Sequence, residues 1–232
     1  MIPMTLDQIA AAVGGRLIAA DGALVVDGAC DTDSRKIGPG DVFFAKPGET
    51  TDGHEYAPAA VERGAALCIV ERELELDAPQ IVVDDAVEAL GALATESLAR
   101  VRAGGRLRVV AVTGSNGKTT TKNLLREIFA RRGSVVAPIA SFNNEVGAPV
   151  TFLRCDAGTD TLVAEMGASA EGEIRRLTDI ARPDVGIVLG VGLAHAGVFG
   201  GIEATQRTKT EMVEALRPDG VAVLNASSVG PA

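Results

Sequence analysis

Apolar positions at helical spacing open the chain. Leu6, Ile9, Ala10 and Val13 follow Thr5, which predicts a capped helix over Leu6–Val13 that ends at Gly14-Gly15. Short apolar runs predict strands at 16–19, 24–26, 42–45, 67–70 and 81–83, with helices over 56–63 and 86–100. These make a small N-terminal α/β domain, residues 1–103. Residues 102–107, Arg-Ala-Gly-Gly-Arg-Leu, read as a linker. From 104 to 232 the alternation is more regular: strands at 107–113, 135–136, 162–165, 185–189 and 221–224, and helices over 118–131, 171–181 and 203–216. That succession implies right-handed crossovers and a parallel sheet.

One strand leads into recognisable chemistry. Arg108-Val-Val-Ala-Val-Thr113 is followed by Gly114-Ser115-Asn116-Gly117 and then Lys118-Thr119-Thr120. Strand, glycine turn and helix start come in the order of a P-loop, although only the shorter form T-G-x-x-G-K-T is present. Loop N–H groups converging on one anion, a lysine for the outer phosphates and a threonine hydroxyl for a magnesium ion are what that order supplies. An ordinary turn before a helix is the bland alternative. Ligands of open α/β sheets gather beyond the carboxyl ends of strands, which draws attention to Glu165 and His195. A carboxylate closing an apolar strand is costly to bury without a cation, though a strand-end surface acid and a structural histidine remain the plain readings. Lys209 falls within a predicted helix, where spacing alone gives only a solvated lysine.

Composition narrows the classes. The chain has 232 residues, 47% hydrophobic and 3% aromatic, so its core is aliphatic, as buried parallel strands require. A net charge of −9 argues against nucleic acid or an anionic membrane as partner. Cys30, Cys68 and Cys155 lie far apart, which speaks against structural disulfides or a zinc site and for a reducing compartment. No leader pattern and no membrane-length apolar run stand out, so a cytoplasmic protein is expected.

Several motifs together resemble the Mur ligase family, most closely its MurF type. They are Thr113-Gly-Ser-Asn-Gly-Lys-Thr-Thr, Ser141-Phe-Asn-Asn-Glu-Val-Gly147, Glu165-Met-Gly-Ala with Gly172-Glu-Ile174, and Ala194-His-Ala-Gly-Val-Phe-Gly200. In the first half Asp33-Ser-Arg35, Gly38-Pro-Gly-Asp-Val-Phe-Phe-Ala45, Pro47-Gly-Glu49 and Asp52-Gly-His54 resemble the segment that holds the uridine end of a nucleotide-sugar substrate. The Ser-Ser-His that MurE-type enzymes carry after the corresponding glutamate is absent.

The resemblance implies a UDP-sugar-binding domain followed by a P-loop parallel-sheet central domain, incomplete at its C-terminal end. It implies an ATP- and Mg²⁺-dependent ligase of peptidoglycan precursor synthesis. Such an enzyme adds D-alanyl-D-alanine to UDP-N-acetylmuramoyl-tripeptide through an acyl phosphate. By the same resemblance Gly114, Ser115, Asn116, Gly117, Lys118, Thr119 and Thr120 bind ATP. Lys118, Glu165, His195 and Lys209 are catalytic, and Thr119, Glu165 and His195 serve the metals. Lys209 falls at a lysine carbamylated by carbon dioxide, Ser34 and Arg35 contact the uridine nucleotide, and Asn143 and Asn144 line the substrate side. Gly190 and Ser227 depart from the family's usual asparagine and aspartate. The chain stops short of the domain that brings the D-alanyl-D-alanine site, so it is expected to be inactive alone and to leave an apolar sheet edge exposed. A MurE-type ligase, another P-loop phosphotransferase and a non-catalytic nucleotide-sugar binding module stay open as alternatives.

Overall fold

The computed structural model describes residues 1–18, 20–48, 51–192 and 202–227. It contains two compact units, Met1–Ala99 and Arg100–Ala232.

In the first unit a two-residue strand β1 (Met4–Thr5) leads into α1 (Leu6–Val13). Thr5 and Gln8 cap α1 reciprocally, Thr5 Oγ1 accepting from the Gln8 N–H at 3.2 Å and Gln8 Oε1 from the Thr5 N–H at 3.1 Å. The strands β2 (Arg16–Ile18), β3 (Val25–Val26), β4 (Cys30–Asp31), β5 (Val42–Phe44), β6 (Leu67–Val70) and β7 (Gln80–Val82) follow. β3 pairs antiparallel with β1, and the others form a five-stranded sheet in the order β2-β7-β6-β5-β4. That sheet is parallel except for β2, which runs antiparallel to β7. Every residue of β5 and β6 is fully buried, so both sheet faces are covered. Helix α2 (Ala57–Glu62) seals one face by packing Ala57 and Ala60 with Phe43, Cys68 and Val70.

Two expectations shift here. The helix expected over 56–63 begins as a 3₁₀ turn at Gly53–Tyr56, and α3 (Ala86–Ala103) runs into the segment expected as a linker. Only Gly104-Gly105 breaks the helix before the next strand, Gly105 having φ of 80°.

The second unit is built on β8 (Arg108–Thr113), β9 (Val135–Val136), β10 (Thr161–Glu165), β11 (Val185–Val188) and β12 (Val221–Leu224), in the order β12-β11-β8-β10-β9 with every pairing parallel. Helices α4 (Lys118–Ala130), α5 (Gly147–Phe152), α6 (Glu173–Ala181) and α7 (Ile202–Glu214) complete it. α4 packs on β8 and β10, while α7 packs on β11 and α6. Strands β1 and β4 and helix α5 carry no clear pattern in sequence; each is short and held by its neighbours. The edge strand β12 leaves Val221, Val223 and Leu224 exposed.

The amino ends of the central strands are tied by one carboxylate. Asp184, 12% exposed, accepts from the Val109 N–H at 2.7 Å, from Arg102 Nη1 at 3.2 Å and from Arg217 Nη2 at 2.9 Å. Its own carbonyl takes the Val221 N–H, so β8, β11 and β12 start from one point. No helix among the described residues is long and apolar enough to cross a membrane.

Candidate functional site

The candidate site lies at the opposite, carboxyl end of this sheet. β8 lies between β10 and β11, and the chain leaves it through Gly114–Gly117 into α4. Gly117 takes φ of 82° as the residue before the helix, a conformation that strains any side chain. A Cβ on Gly114 would come within 3.0 Å of Leu189 Cβ, so the loop lies close against the exit of β11. α4 then begins with no side-chain cap and no acid in its first turn, but with Lys118 at its first position and Lys122 one turn on. Bare N–H groups and cations at a helix N-terminus repel one another, and an anion removes the conflict. Lys118 Nζ donates back to the Gly114 carbonyl at 2.8 Å.

Glu165 closes β10 in register with Val112 and is 1% exposed. Its Oε1 accepts from Thr119 Oγ1 at 3.1 Å and from Asn143 Nδ2 at 2.9 Å. Its Oε2 is buried and has no hydrogen-bond partner among the described residues. A buried carboxylate oxygen left without a donor is costly, and a hard divalent cation is what fits it. Such an ion takes few protein ligands and keeps its waters, so one carboxylate and one hydroxyl suffice. Ser141 Oγ lies 3.4 Å from Thr119 Oγ1 and extends the oxygen-rich corner.

Asn143 is placed by a close approach. Its carbonyl accepts the Gly167 N–H at 2.8 Å, and a Cβ at position 167 would lie 2.9 Å from the Asn143 Cγ. Asn144 has a local task, accepting the Gly147 N–H at 2.9 Å at the start of α5. Ser115 binds by backbone and side chain to the β11 exit: its N–H donates to the Gly190 carbonyl at 2.9 Å, its Oγ to the Gly192 carbonyl at 3.2 Å, and its Oγ accepts the Gly192 N–H at 3.0 Å.

These residues border a cleft of about 370 Å³, lined by Gly114, Ser115, Lys118, Asn143, Asn144 and Lys209 among others. Lys209 reaches it from α7, 4% exposed. Burial, then the neighbouring Lys118, push its amine down to about 8, against the opposite pull of Glu211 and Glu173. Glu211, two residues further along α7, grips α6: its Oε1 accepts the Gly172 N–H at 2.7 Å and its Oε2 the Arg175 N–H at 2.9 Å. Gly172 has no side chain to cap α6, and Glu211 supplies the cap from another helix.

Of the residues singled out from sequence, Gly114, Ser115, Lys118, Thr119, Asn143, Asn144, Glu165 and Lys209 come together at this sheet end. Asn116, Gly117 and Thr120 are exposed on the loop and first helical turn. His195, like Glu49, lies outside the described residues. Ser34 and Arg35 belong to the first unit. There Ser34 opens a 3₁₀ turn, and the Arg35 guanidinium is held by both oxygens of Asp33, at 2.8 and 2.9 Å. Sequence reasoning missed Ser141, Glu211 and Lys122. The last had a signal: it stands three and four residues after Thr119 and Lys118, on the helix face that must meet the sheet.

The Mur ligase middle domain matches residues 112–230, and the catalytic domain of the Mur ligase family matches 29–97. The UDP-N-acetylmuramoyl-tripeptide–D-alanyl-D-alanine ligase of Mycobacterium tuberculosis is 42% identical over 97% of this chain and 49% of its own length. The Escherichia coli ligase of the same name is 37% identical over 98% and 49%. A crystal structure of MurF from Acinetobacter baumannii superposes with a TM-score of 0.87 at 34% identity, covering 96% of this chain and 48% of that one. MurF from Thermotoga maritima in complex with ADP gives 0.76 at 36% identity, covering 85% and 45%. The chain spans about half the length of the curated relatives it matches.

Proposed function

The chain belongs to the Mur ligase family, and on that premise we propose that it forms the UDP-sugar-binding and ATP-binding parts of a MurF-type ligase. The reaction is the ATP-dependent joining of D-alanyl-D-alanine to UDP-N-acetylmuramoyl-tripeptide. Membership of the family carries dependence on ATP and Mg²⁺ with it. The MurF assignment is supported by relatives of that name, 37–42% identical along nearly the whole chain.

The observation that carries the reading is the joint between phosphate loop and carboxylate: Thr119, next to Lys118 in the chain, meets Glu165, and Glu165 meets Asn143, through hydrogen bonds of 3.1 and 2.9 Å. The loop amides of 114–117 and Lys118 receive the outer phosphates, Lys118 exchanging the Gly114 carbonyl for phosphate oxygen. Thr119 and Glu165 would hold Mg²⁺, which neutralises charge on the phosphoryl group in transfer. Asn143 occupies Oε1, which leaves Oε2 as the oxygen that would meet the cation. The γ-phosphoryl passes to the terminal carboxylate of the tripeptide with ADP leaving. The amine of D-alanyl-D-alanine then attacks the acyl carbon, phosphate departs, and the amine loses its proton. Lys209, with its lowered amine, is suited to lose its ammonium proton and add carbon dioxide as a carbamate with loss of a second proton, which exchanges a positive charge for a negative one beside Lys118. Ser34 and Arg35 serve the uridine nucleotide, Asn144 the substrate side, and His195 a second metal.

Calorimetric titration with UDP-N-acetylmuramoyl-tripeptide and, separately, Mg-ATP tests this. Both ligands are expected to bind, and Lys118→Ala to abolish only the ATP isotherm. Binding of ATP without the muramoyl peptide would replace this reading with that of a generic P-loop protein.

A further inference from the structure

Lys122 is fully buried, and among the described residues its ammonium has one hydrogen-bond partner, the Pro138 carbonyl at 2.8 Å. Its position is unfavourable on two counts. Burial removes its hydration, and the Arg126 guanidinium one turn further along α4 adds like charge. A methionine would fill similar volume without desolvating a charge, so packing does not explain a lysine here. Burial lowers its amine, and the nearby Glu165 carboxylate partly restores it.

The Pro138 carbonyl lies just past β9, where the chain has left the sheet: the ladder to β10 stops at Val136. Beyond that point two cations hold successive carbonyls. Arg154 Nη1 donates to Ala137 at 3.3 Å and Lys122 to Pro138. The segment so held delivers Ser141 to Thr119 and Asn143 to Glu165.

We propose that Lys122 is a positioning residue for the cation corner: it pins the β9 exit to α4 and thereby sets Ser141 and Asn143 against Thr119 and Glu165. This rests on the metal–nucleotide reading of the site given above. On the same helix, Lys118 faces the phosphates and Lys122 faces inward, so the two lysines divide ligand contact from placement.

The test is the ratio of ADP dissociation constants in EDTA and in MnCl₂, measured on the whole chain, because that ratio isolates the metal's contribution. Lys122→Met is expected to lower it by about 10-fold, with the affinity in EDTA changing by less than about twofold. Arg154→Met, which removes the other arm of the pin, is expected to lower it in the same direction. An unchanged ratio, or equal losses in EDTA and MnCl₂, overturns the proposal. If Lys122→Met fails to fold, Arg154→Met decides: a lowered ratio supports the pin and an unchanged one overturns it. A wild-type chain that binds no ADP in either buffer refutes the reading of the site itself, a distinct outcome.

Discussion

Gly167→Ala tests how the cleft is held together. The backbone at 167 is one that alanine adopts freely, so any cost comes from the new methyl group meeting the Asn143 amide at 2.9–3.0 Å. That amide must move, and moving it breaks the 2.9 Å hydrogen bond from Nδ2 to Glu165. A hydrogen bond to a charged acceptor contributes about 1.5–3 kcal/mol, and inserting a methyl group into a packed site costs about 1–3 kcal/mol. The two describe one displacement and are not summed, so we expect about 2 kcal/mol of lost stability in urea unfolding. The assay is a double-mutant cycle with Asn143→Ala. In that background the clashing side chain is gone, and Gly167→Ala is expected to cost less than about 0.5 kcal/mol. An equal cost in both backgrounds would refute the argument, because the methyl group would then be felt by something other than Asn143.

Three further outcomes follow from separate parts of the molecule. Asp184→Asn leaves Arg102 and Arg217 without their shared anion and is expected to destabilise the chain by about 3 kcal/mol in urea unfolding. Glu211→Ala uncaps α6 and is expected to cost about 1 kcal/mol, with faster hydrogen exchange confined to the amides of Gly172 and its neighbours. Lys209 titrates at about 8 when folded and near 10.4 when unfolded, so the unfolded chain binds more protons between those values. Stability contributed through this group is therefore lowest below pH 8 and rises toward pH 10.4. Lys209→Met is expected to flatten that part of the stability-versus-pH curve, leaving the share from Lys122, whose amine is lowered in the same direction.

The sheet, the P-loop and Glu165 were legible because each follows from local pattern: buried apolar runs, glycines before a Lys-Thr pair, an acid ending a strand. What escaped is what only tertiary contact creates. β4 is two residues long and exists because β5 offers it a ladder. Lys122 and Lys209 look like surface lysines on predicted helices, and only the packing of α4 and α7 buries them. Glu211 caps a helix 39 residues away in sequence, which no local rule for helix starts can see. Asn144 lines the cleft and also accepts the Gly147 N–H at the start of α5, a second task that its place in a loop pair does not announce.

The Asp184 knot has a consequence for how substitutions in this unit sort themselves. Strand starts converge on one carboxylate and its arginines, while strand ends open onto glycine loops whose residues line the cleft. A mutational scan read twice, once for the amount of folded protein and once for nucleotide retention, should therefore separate along the strand direction. Changes at the starts of β8, β11 and β12 would lower abundance, and changes past their ends would leave abundance intact and lose the ligand. The sheet thus gives its two ends different kinds of vulnerability.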